Sequence, residues 1–226
     1  MGVERNHDPL AEIEKRIMSC TKCRLHSNRK HAVPGEGPRN AEIMIVGEAP
    51  GRMEDLQGRP FVGSAGRILD EMLSRAGLSR RDVYITNVVK CRPPNNRDPT
   101  DEEIMTCLPY LVSQIKILRP KLVIAVGRHA GRTLYHLAGK RWSSMAAARR
   151  KTVKANISGV ETTIVVTYHP AAALYNPQLR KELESDFSGF IKREVTRVKG
   201  VEGSRKLGLD EWLHPDPDGS GEGSRG

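Results

Sequence analysis

The sequence predicts a three-layer α/β/α fold with a four-stranded parallel sheet between the helices. Short apolar runs of strand length alternate along the chain with longer segments of helical period, the pattern of strand–helix–strand units. Polar side chains follow several of these runs, and the carboxyl ends of parallel strands meet at one edge of a sheet. The 226 residues can bury one substantial core, so we expect a single domain over residues 1–199 and a tail over residues 200–226.

The N-terminal part of the chain predicts a helix followed by a loop. Residues 8–19 place Leu10, Ile13, Ile17 and Met18 on one face of an amphipathic helix. The next segment, residues 27–40, is basic, aperiodic and rich in glycine and proline, so we expect it to be a loop. The helix should anchor the first pair of cysteines, which comes directly after it.

Residues 43–46 form the first predicted strand. They are apolar throughout and are closed by Gly47, which is typical of a strand buried on both faces of a sheet. Pro50 and the glycines around it make the chain turn sharply at the carboxyl end of this strand, where open α/β sheets bind their ligands. Glu48 and Ala49 therefore lie at the lip of a predicted pocket.

Phe61 lies in the irregular loop that follows, which ends where Ser64 is expected to cap a helix over residues 65–77. In one interpretation, its ring only covers the edge of the core. In the other, the ring is a platform on which a planar ligand such as a nucleobase stacks, beside the carboxylate of Glu48. A dinucleotide site is disfavoured, because the loop lacks the third glycine of G-x-G-x-x-G and Pro50 has no N–H for a phosphate.

Three more runs predict the remaining strands. They are residues 82–89, 121–126 and 162–167, with helices expected over residues 100–118 and 129–138. Thr100 and Glu103 predict a capping box at the start of the first of these helices. One strand ends at Asn87 and another is followed by His169, so both side chains should share a cleft with Glu48. Each of these residues alone would more often close a turn, and it is their convergence that indicates a site.

The four cysteines indicate a metal centre. Cys20 and Cys23 form a C-x-x-C pair, while fifteen residues separate Cys91 from Cys107. Structural disulfides are disfavoured in a reducing compartment, and unrelated core thiols would not lie beside Lys and Arg. Ligands drawn from such distant segments suit an iron–sulfur cluster at least as well as zinc, and their spacing does not choose between the two.

The formal net charge of +10 predicts a polyanionic partner, first of all nucleic acid, although a merely soluble basic surface also explains it. Basic residues cluster near predicted loops, as they do over residues 140–154. No apolar run approaches the ~20 residues of a membrane span, and residues 1–9 contain no apolar signal core. We therefore expect a monomeric intracellular protein, cytoplasmic or nucleoid-associated, without a membrane partner.

With these motifs the chain resembles the uracil-DNA glycosylase superfamily, and most closely its thermostable iron–sulfur branch, family 4. The resemblance covers roughly residues 10–185 and is carried by GEAPG, EDLQGRPFVGSAG, TNVVKCRPPNNRDP and the YHP segment, in the family's order. Family 5 has an apolar residue in place of Glu48. The variant that crosslinks to DNA has a glutamine in place of Ala49 and a basic insertion with an extra histidine, and no such insertion follows Cys91.

The resemblance implies a uracil-DNA glycosylase that acts on single- or double-stranded DNA. Such an enzyme flips uracil out of the stack and hydrolyses its N-glycosidic bond. The resemblance also implies a 4Fe-4S cluster as cofactor, held by Cys20, Cys23, Cys91 and Cys107. We expect the cluster to be structural, and the enzyme to be monofunctional because no lysine is evidently placed as a Schiff-base nucleophile.

Uracil chemistry assigns a role to the main residues of the predicted cleft. Asn87 can donate to O4 and accept from the N3 proton, while Phe61 stacks on the ring. His169 would stabilise the charge that develops on O2, and Glu48 would orient water and stabilise the cationic sugar. The remaining binding residues are expected to be Gly47, Ala49, Pro50, Glu54, which by family resemblance excludes the methyl group of thymine, and Leu174, which either wedges the duplex or packs in the core.

Two other functions remain open at this point. One is a non-catalytic nucleic-acid-binding module that uses the same cleft to sense a base. The other is a zinc-dependent nucleic-acid hydrolase, which the cysteine spacing also allows. Release of free uracil would separate the glycosylase from both.

The tail over residues 200–226 lacks periodicity and is rich in glycine, serine, aspartate and proline, the composition of a disordered end. Within KLGLDEWL, Leu209, Trp212 and Leu213 stand at helical spacing in a segment too short to fold alone. Either Trp212 docks on this protein's own body, or the segment is a peptide anchor. It is similar to the sliding-clamp-binding box of replication and repair proteins, with Lys206 where that box usually has glutamine, so a sliding clamp is the implied partner.

Overall fold

The computed structural model describes residues 8–200 and contains one five-stranded sheet between layers of helices. Its strands are β1 (Ile43–Gly47), β2 (Val83–Asn87), β3 (Leu122–Val126), β4 (Thr152–Ile157) and β5 (Val160–Thr167). Its α-helices are α1 (Pro9–Met18), α2 (Arg52–Gln57), α3 (Ser64–Arg75), α4 (Asp101–Leu118), α5 (Arg128–Leu137), α6 (Met145–Ala148) and α7 (Pro177–Ser185). The predicted α/β/α class is confirmed.

Four of the strands are parallel, as predicted, and lie in the order β2-β1-β3-β5. From β1 the chain runs to β2, which is the neighbour of β1 on one side within the sheet. It then returns to β3, which is the neighbour of β1 on the other side. The direction of winding therefore reverses between β1 and β3. A crevice opens at such a switch point beyond the carboxyl ends of the strands, and α/β proteins bind their ligands there.

The predicted strand count is wrong, because β4 adds a fifth, antiparallel strand at the edge next to β5. The two strands form a hairpin through Ser158 and Gly159, which both have positive φ (50° and 85°), as the tight turns of hairpins require. Lys154 and Asn156 point to solvent between buried neighbours. In the sequence, the start of this polar edge strand is therefore not distinguishable from the basic, loop-like stretch over residues 140–154.

Alternate strand residues face two separate cores, which cover the two faces of the sheet. Met44, Val46 and Val123 pack with α1, α4 and α5, whereas Ile43, Ile45 and Ile124 pack with α3 and the C-terminal helical segment. That segment was not predicted. It consists of α7, a π-helical stretch (Asp186–Ile191) and helical residues up to 200, and buries Leu183, Phe187, Ile191 and Val195.

Several local predictions need correction. Met18, at the end of α1, is exposed and does not share the buried face of Leu10, Ile13 and Ile17. The loop after β1 contains the short helix α2, and α3 begins one residue earlier than predicted, so Gly63 rather than Ser64 is its N-cap residue. The capping box is confirmed: the Glu103 N–H donates to Thr100 Oγ1 (3.2 Å) and the Thr100 N–H donates to Glu103 Oε2 (2.8 Å).

No helix within residues 8–200 combines the length and apolarity needed to cross a bilayer. The predicted tail falls almost wholly outside the described residues, since the last helix reaches residue 200. The predicted partner-binding residues Lys206, Leu209, Trp212 and Leu213 therefore lie outside them too.

Candidate active site and cysteine centre

A cavity of about 530 Å³ opens at the carboxyl edge of the sheet. Its lining includes all but one of the residues that the sequence predicts for catalysis and substrate binding, namely Glu48, Ala49, Pro50, Glu54, Phe61, Asn87, His169 and Leu174. The remaining residue, Gly47, lies directly beneath Asn87 and Phe61. Polar groups that follow three different strands thus converge on one cavity large enough for a small planar ligand.

Gly47 allows two side chains of the cavity to approach each other. A Cβ atom on this residue would lie 2.3 Å from Asn87 Oδ1 and 2.6 Å from Phe61 Cζ, closer than any side chain tolerates. The Phe61 backbone is held in the left-handed region (φ 51°), where its carbonyl accepts a hydrogen bond from Arg80 Nη2. Gly66 is equally constrained, because a Cβ there would lie 1.8 Å from that carbonyl oxygen. The backbone around Phe61 therefore fixes the position of its ring.

Asn87 supplies a buried amide at the floor of the cavity. The residue is 1 % exposed, and within residues 8–200 its Oδ1 has no hydrogen-bond partner. Buried amide oxygens in folded proteins are nearly always paired, so an unpaired one that lines a cavity indicates a ligand. The end of β2 holds it opposite Gly47 in the sheet register.

His169 is held as a neutral hydrogen-bond donor. Its Nδ1 accepts a hydrogen bond from the Ala171 N–H (3.1 Å), which leaves the proton of the neutral ring on Nε2. Burial lowers the pKa of the imidazole to about 4, with the nearby Glu54 carboxylate opposing the shift. The ring lines the cavity and stacks on Phe61, with 5.7 Å between centroids and 29° between planes.

Glu54 belongs to α2, and its carboxylate folds back into the cavity. Oε1 accepts hydrogen bonds from the backbone N–H groups of Val62 (2.9 Å) and Gly63 (2.8 Å), which closes the loop that carries Phe61. A Cβ on Gly51 would lie 2.7 Å from Oε2, so the other oxygen is also tightly surrounded. The carboxylate is therefore a fixed wall of the cavity.

Glu48 stands at the end of β1 and is half-buried. Burial raises the pKa of its carboxyl group, His129 and Arg128 lower it, and Asp98 raises it further. His129 Nε2 lies 3.9 Å from Glu48 Oε2 and 3.3 Å from Asp98 Oδ2. Neither Asp98 nor His129 is a predicted site residue, although His129 follows β3 as Glu48 follows β1.

Comparison with protein-family models identifies the family of the chain that forms this cavity. The model of the uracil DNA glycosylase superfamily matches residues 34–190, which is more than half of the chain and includes every residue described above. The chain belongs to the uracil-DNA glycosylase superfamily. The resemblance seen in the sequence is thereby confirmed.

Curated relatives place this superfamily member near the type-4 proteins. It is 47 % identical to the type-4 uracil-DNA glycosylase of Saccharolobus solfataricus over 95 % of this chain and 94 % of that protein. It is 51 % identical to the type-4 protein of Pyrobaculum aerophilum over 80 % of this chain and 93 % of that protein. The type-5 uracil-DNA glycosylase of the same organism is 32 % identical over 76 % of this chain and 88 % of that protein.

The rim of the superfamily member's cavity carries two apolar side chains. Leu174 is 37 % exposed and ends the short helical turn Pro170–Leu174, and Tyr175, which is 89 % exposed, comes directly after it. Leu174 is therefore not a core residue. Tyr175 was missed by the sequence analysis, because a tyrosine beside a proline-rich turn has no distinctive pattern.

All four cysteines of the superfamily member line a second, small cavity and are free of disulfides. Cys20 and Cys23 follow α1, Cys91 follows β2, and Cys107 lies in α4. Arg29 Nη1 approaches Cys91 Sγ (3.0 Å), and its Nη2 donates to the Met18 carbonyl (2.8 Å). Burial raises the pKa of the Cys91 thiol, and raises that of Cys107 to about 11.

Lys90 connects the two cavities and was also missed by the sequence analysis. It is 1 % exposed and lines the cysteine cavity, and its ammonium group donates to Thr86 Oγ1 (2.6 Å), Gln114 Oε1 (2.7 Å) and the Asn87 carbonyl (2.7 Å). The cysteine loop and the floor of the active-site cavity thus share one buried lysine side chain.

Proposed function

We propose that this protein is a monofunctional uracil-DNA glycosylase that flips uracil out of DNA and hydrolyses its N-glycosidic bond. The reaction leaves an abasic site and begins base excision repair. The observation that carries this proposal is the unpaired, buried amide oxygen of Asn87 beside the ring of Phe61. Membership of the superfamily and the high identity to type-4 proteins agree with it.

The amide of Asn87 suits the hydrogen-bonding edge of uracil. Its oxygen can accept the N3 proton while its nitrogen donates to O4, and cytosine presents the opposite pattern. A buried amide that faces the wrong groups is left unpaired, and mismatches of this kind discriminate by up to ~10⁴ to 10⁵. The fixed Phe61 ring supplies an aromatic surface at the cavity on which the base can stack.

Thymine differs from uracil by one methyl group, so its exclusion requires a rigid wall. Glu54 suits this role because two backbone N–H groups hold its carboxylate at the cavity wall. A charged, immobile group cannot give way to an apolar methyl group without losing those hydrogen bonds.

Cleavage of the glycosidic bond leaves negative charge on uracil O2 and positive charge on the sugar. The neutral His169 ring would donate its Nε2 proton in a hydrogen bond to O2, as an oxyanion hole does. Glu48 would orient water toward the sugar and stabilise the cation while its carboxylate is ionised. Among the described residues that line the cavity there is no lysine, and water is therefore the nucleophile that this site favours.

The flipped state needs support from the rest of the DNA. Leu174 and Tyr175 stand at the cavity rim, where an apolar or aromatic side chain can fill the space that the base leaves. The basic character of the chain favours DNA in either single- or double-stranded form.

The four cysteines would hold a 4Fe-4S cluster, and their arrangement fits such a group. A single zinc ion with Zn–S bonds of ~2.3 Å requires sulfurs ~3.8 Å apart. Within residues 8–200, no three of these sulfurs lie within 4.8 Å of one another, which favours a larger group. Arg29 faces Cys91 with positive charge, and the amine of Lys90 lines the same cavity. When bound, the cluster would join the segment after α1 to α4, and hydrolysis requires no electron from it.

The sliding clamp remains a proposed partner, through Lys206, Leu209, Trp212 and Leu213. The spacing of these residues suits a short helical turn in an apolar groove. Tethering to a clamp would raise the local concentration of a repair enzyme on DNA.

The activity is tested with matched oligonucleotides that carry U·G, U·A or T·G. We expect free uracil from the first two, strand breaks only after alkali, and no release of thymine. DNA binding without release of any base would indicate a sensing module instead. Strand cleavage that chelators abolish, in a colourless preparation purified anaerobically, would indicate a zinc hydrolase.

A further inference from the structure

Three ionisable side chains meet beside the active-site cavity, and only one of them has a role so far. Glu48 follows β1, His129 is the second residue of α5 after β3, and Asp98 comes from the loop after β2. Their nearest ligand atoms all lie within 4.8 Å of one another. The group therefore stands at the switch point between β1 and β3, where this class of sheet concentrates its chemistry.

His129 is buried without a partner for its ring. The residue is 8 % exposed, and within residues 8–200 neither Nδ1 nor Nε2 has a well-directed hydrogen bond. Nε2 approaches Asp98 Oδ2 to 3.3 Å, a close electrostatic contact rather than an aligned bond. Asp98 is itself held by Arg128, whose Nη2 donates to the same oxygen at 2.6 Å. Nδ1 is therefore unused, and Nε2 faces Glu48 as well as Asp98 without an aligned hydrogen bond to either.

The separation between Glu48 and His129 defines what can lie between them. At 3.9 Å, Nε2 and Oε2 are too far apart for a direct hydrogen bond. A single water about 2.8 Å from each of these two atoms would satisfy both. We propose that His129 and Glu48 hold the hydrolytic water together, with Asp98 orienting the His129 ring. This inference rests on the proposed hydrolysis of the glycosidic bond.

The charges around Glu48 support this arrangement. Those that face it are His129 and Arg128 from α5, Asp98 from the loop after β2, and, around the cavity, Arg52, Glu54, Arg97 and His169. Burial raises the pKa of Glu48 and His129 opposes this shift, so His129 keeps the carboxylate ionised to lower pH. Asp98 acts in the opposite direction. Because the ionised form acts on water, the rate should fall as the pH drops through the pKa of Glu48, and His129 sets where that happens.

The test is single-turnover uracil release as a function of pH, with DNA affinity and melting temperature measured in parallel. His129→Phe keeps a ring without nitrogen atoms, and His129→Gln restores a polar group. His136→Phe is the matched control, because His136 is exposed on the same helix. We expect His129→Phe to slow uracil release about 10- to 100-fold at unchanged DNA affinity and to move the acid limb of the pH–rate profile to higher pH. His129→Gln should retain more of the wild-type rate than His129→Phe does.

Two further variants separate water positioning from a structural role. Asp98→Asn should slow release without moving the acid limb upward, because its charge raises the pKa of Glu48. Glu48→Gln combined with His129→Phe should lose little more than Glu48→Gln alone, since both residues act on one water. Additive losses in the double variant would contradict the proposal.

The remaining outcomes are equally decisive. A wild-type rate and pH profile in His129→Phe, or equal loss of affinity, rate and melting temperature in both His129 variants, would overturn the proposal while leaving uracil hydrolysis intact. Inhibition of the wild type by EDTA would assign the three groups to a divalent cation instead. If the wild-type enzyme releases no uracil at all, the proposed function fails first.

Discussion

At the scale of single residues, the site depends on a position that has no side chain. Gly47 lies beneath Asn87 and Phe61, and a methyl group there would displace one or both. We expect Gly47→Ala to slow uracil release about 10²-fold with little change in DNA affinity, because a displacement of ~1 Å costs that much in a positioned site. Gly189→Ala is the control, since a Cβ at Gly189 contacts nothing within 4 Å. Equal rates in the two variants would remove Gly47 from the site.

Asn87 permits a second test at the same scale. Asn87→Asp replaces the amide donor with a carboxylate oxygen, which can no longer donate to uracil O4. The variant should discriminate less between uracil and cytosine, or reverse its choice, when release of both bases is compared on otherwise identical oligonucleotides. If it excludes cytosine as well as the wild type does, another residue reads the base.

Three of the polar residues that the sequence predicted share one property, which the missed residues Lys90 and Asp98 lack. Glu48, Asn87 and His169 follow recognisable strands, and strand ends meet at one edge of a parallel sheet. Lys90 and Asp98 lie in a proline-rich loop whose path depends on tertiary packing, so their positions carried no local signal. The burial of Lys90 in particular is unusual for its residue type, and only the three acceptors around it explain it.

At the scale of elements, three separate parts of the chain assemble the cysteine centre, namely the segment after α1, the loop after β2, and α4. Glu103 connects two of them, because it accepts hydrogen bonds from Arg24, next to Cys23, and from Arg97, while belonging to α4. The centre therefore lies where these segments meet, beside the packing of α1 on α4. Metal binding at such a site contributes to folding.

Replacement of one cysteine tests that contribution. Cys91→Ala should lower both the iron content and the yield of folded protein, because it removes one of the four proposed cluster ligands. Met105→Ser, at an exposed position of α4, should change neither. Iron analysis and melting temperature provide the comparison. A stable, fully iron-loaded Cys91→Ala protein would exclude Cys91 from the ligand set.

The elements differ in how well the sequence predicts them. Strands β1, β2, β3 and β5 are buried on both faces and are therefore nearly continuous apolar runs. The edge strand β4 alternates with exposed polar residues, and α2 has only six residues, so neither has a distinct signal. The C-terminal helical segment buries one side chain per turn among many charged residues, so its sequence has no strong apolar pattern. Only its packing on the sheet shows that it covers one face of the core.

At the scale of the whole molecule, the described domain and the tail pose separate questions. Deletion of residues 204–226 should abolish affinity for the sliding clamp while leaving melting temperature and uracil release unchanged, because a short anchor contributes only to tethering. A lower melting temperature, with no clamp affinity to lose, would instead indicate that Trp212 docks on the domain.

The most direct test of the central claim is single-turnover release of uracil from a U·G duplex, with DNA affinity measured on the same preparations. The wild type should release uracil and leave an alkali-labile site, while Glu48→Gln and His169→Ala should each slow release by about 10² to 10⁴ at nearly unchanged affinity, since both act on charge that develops in the transition state. No release by iron-loaded wild-type protein, or losses of rate that merely follow losses of affinity, would contradict it.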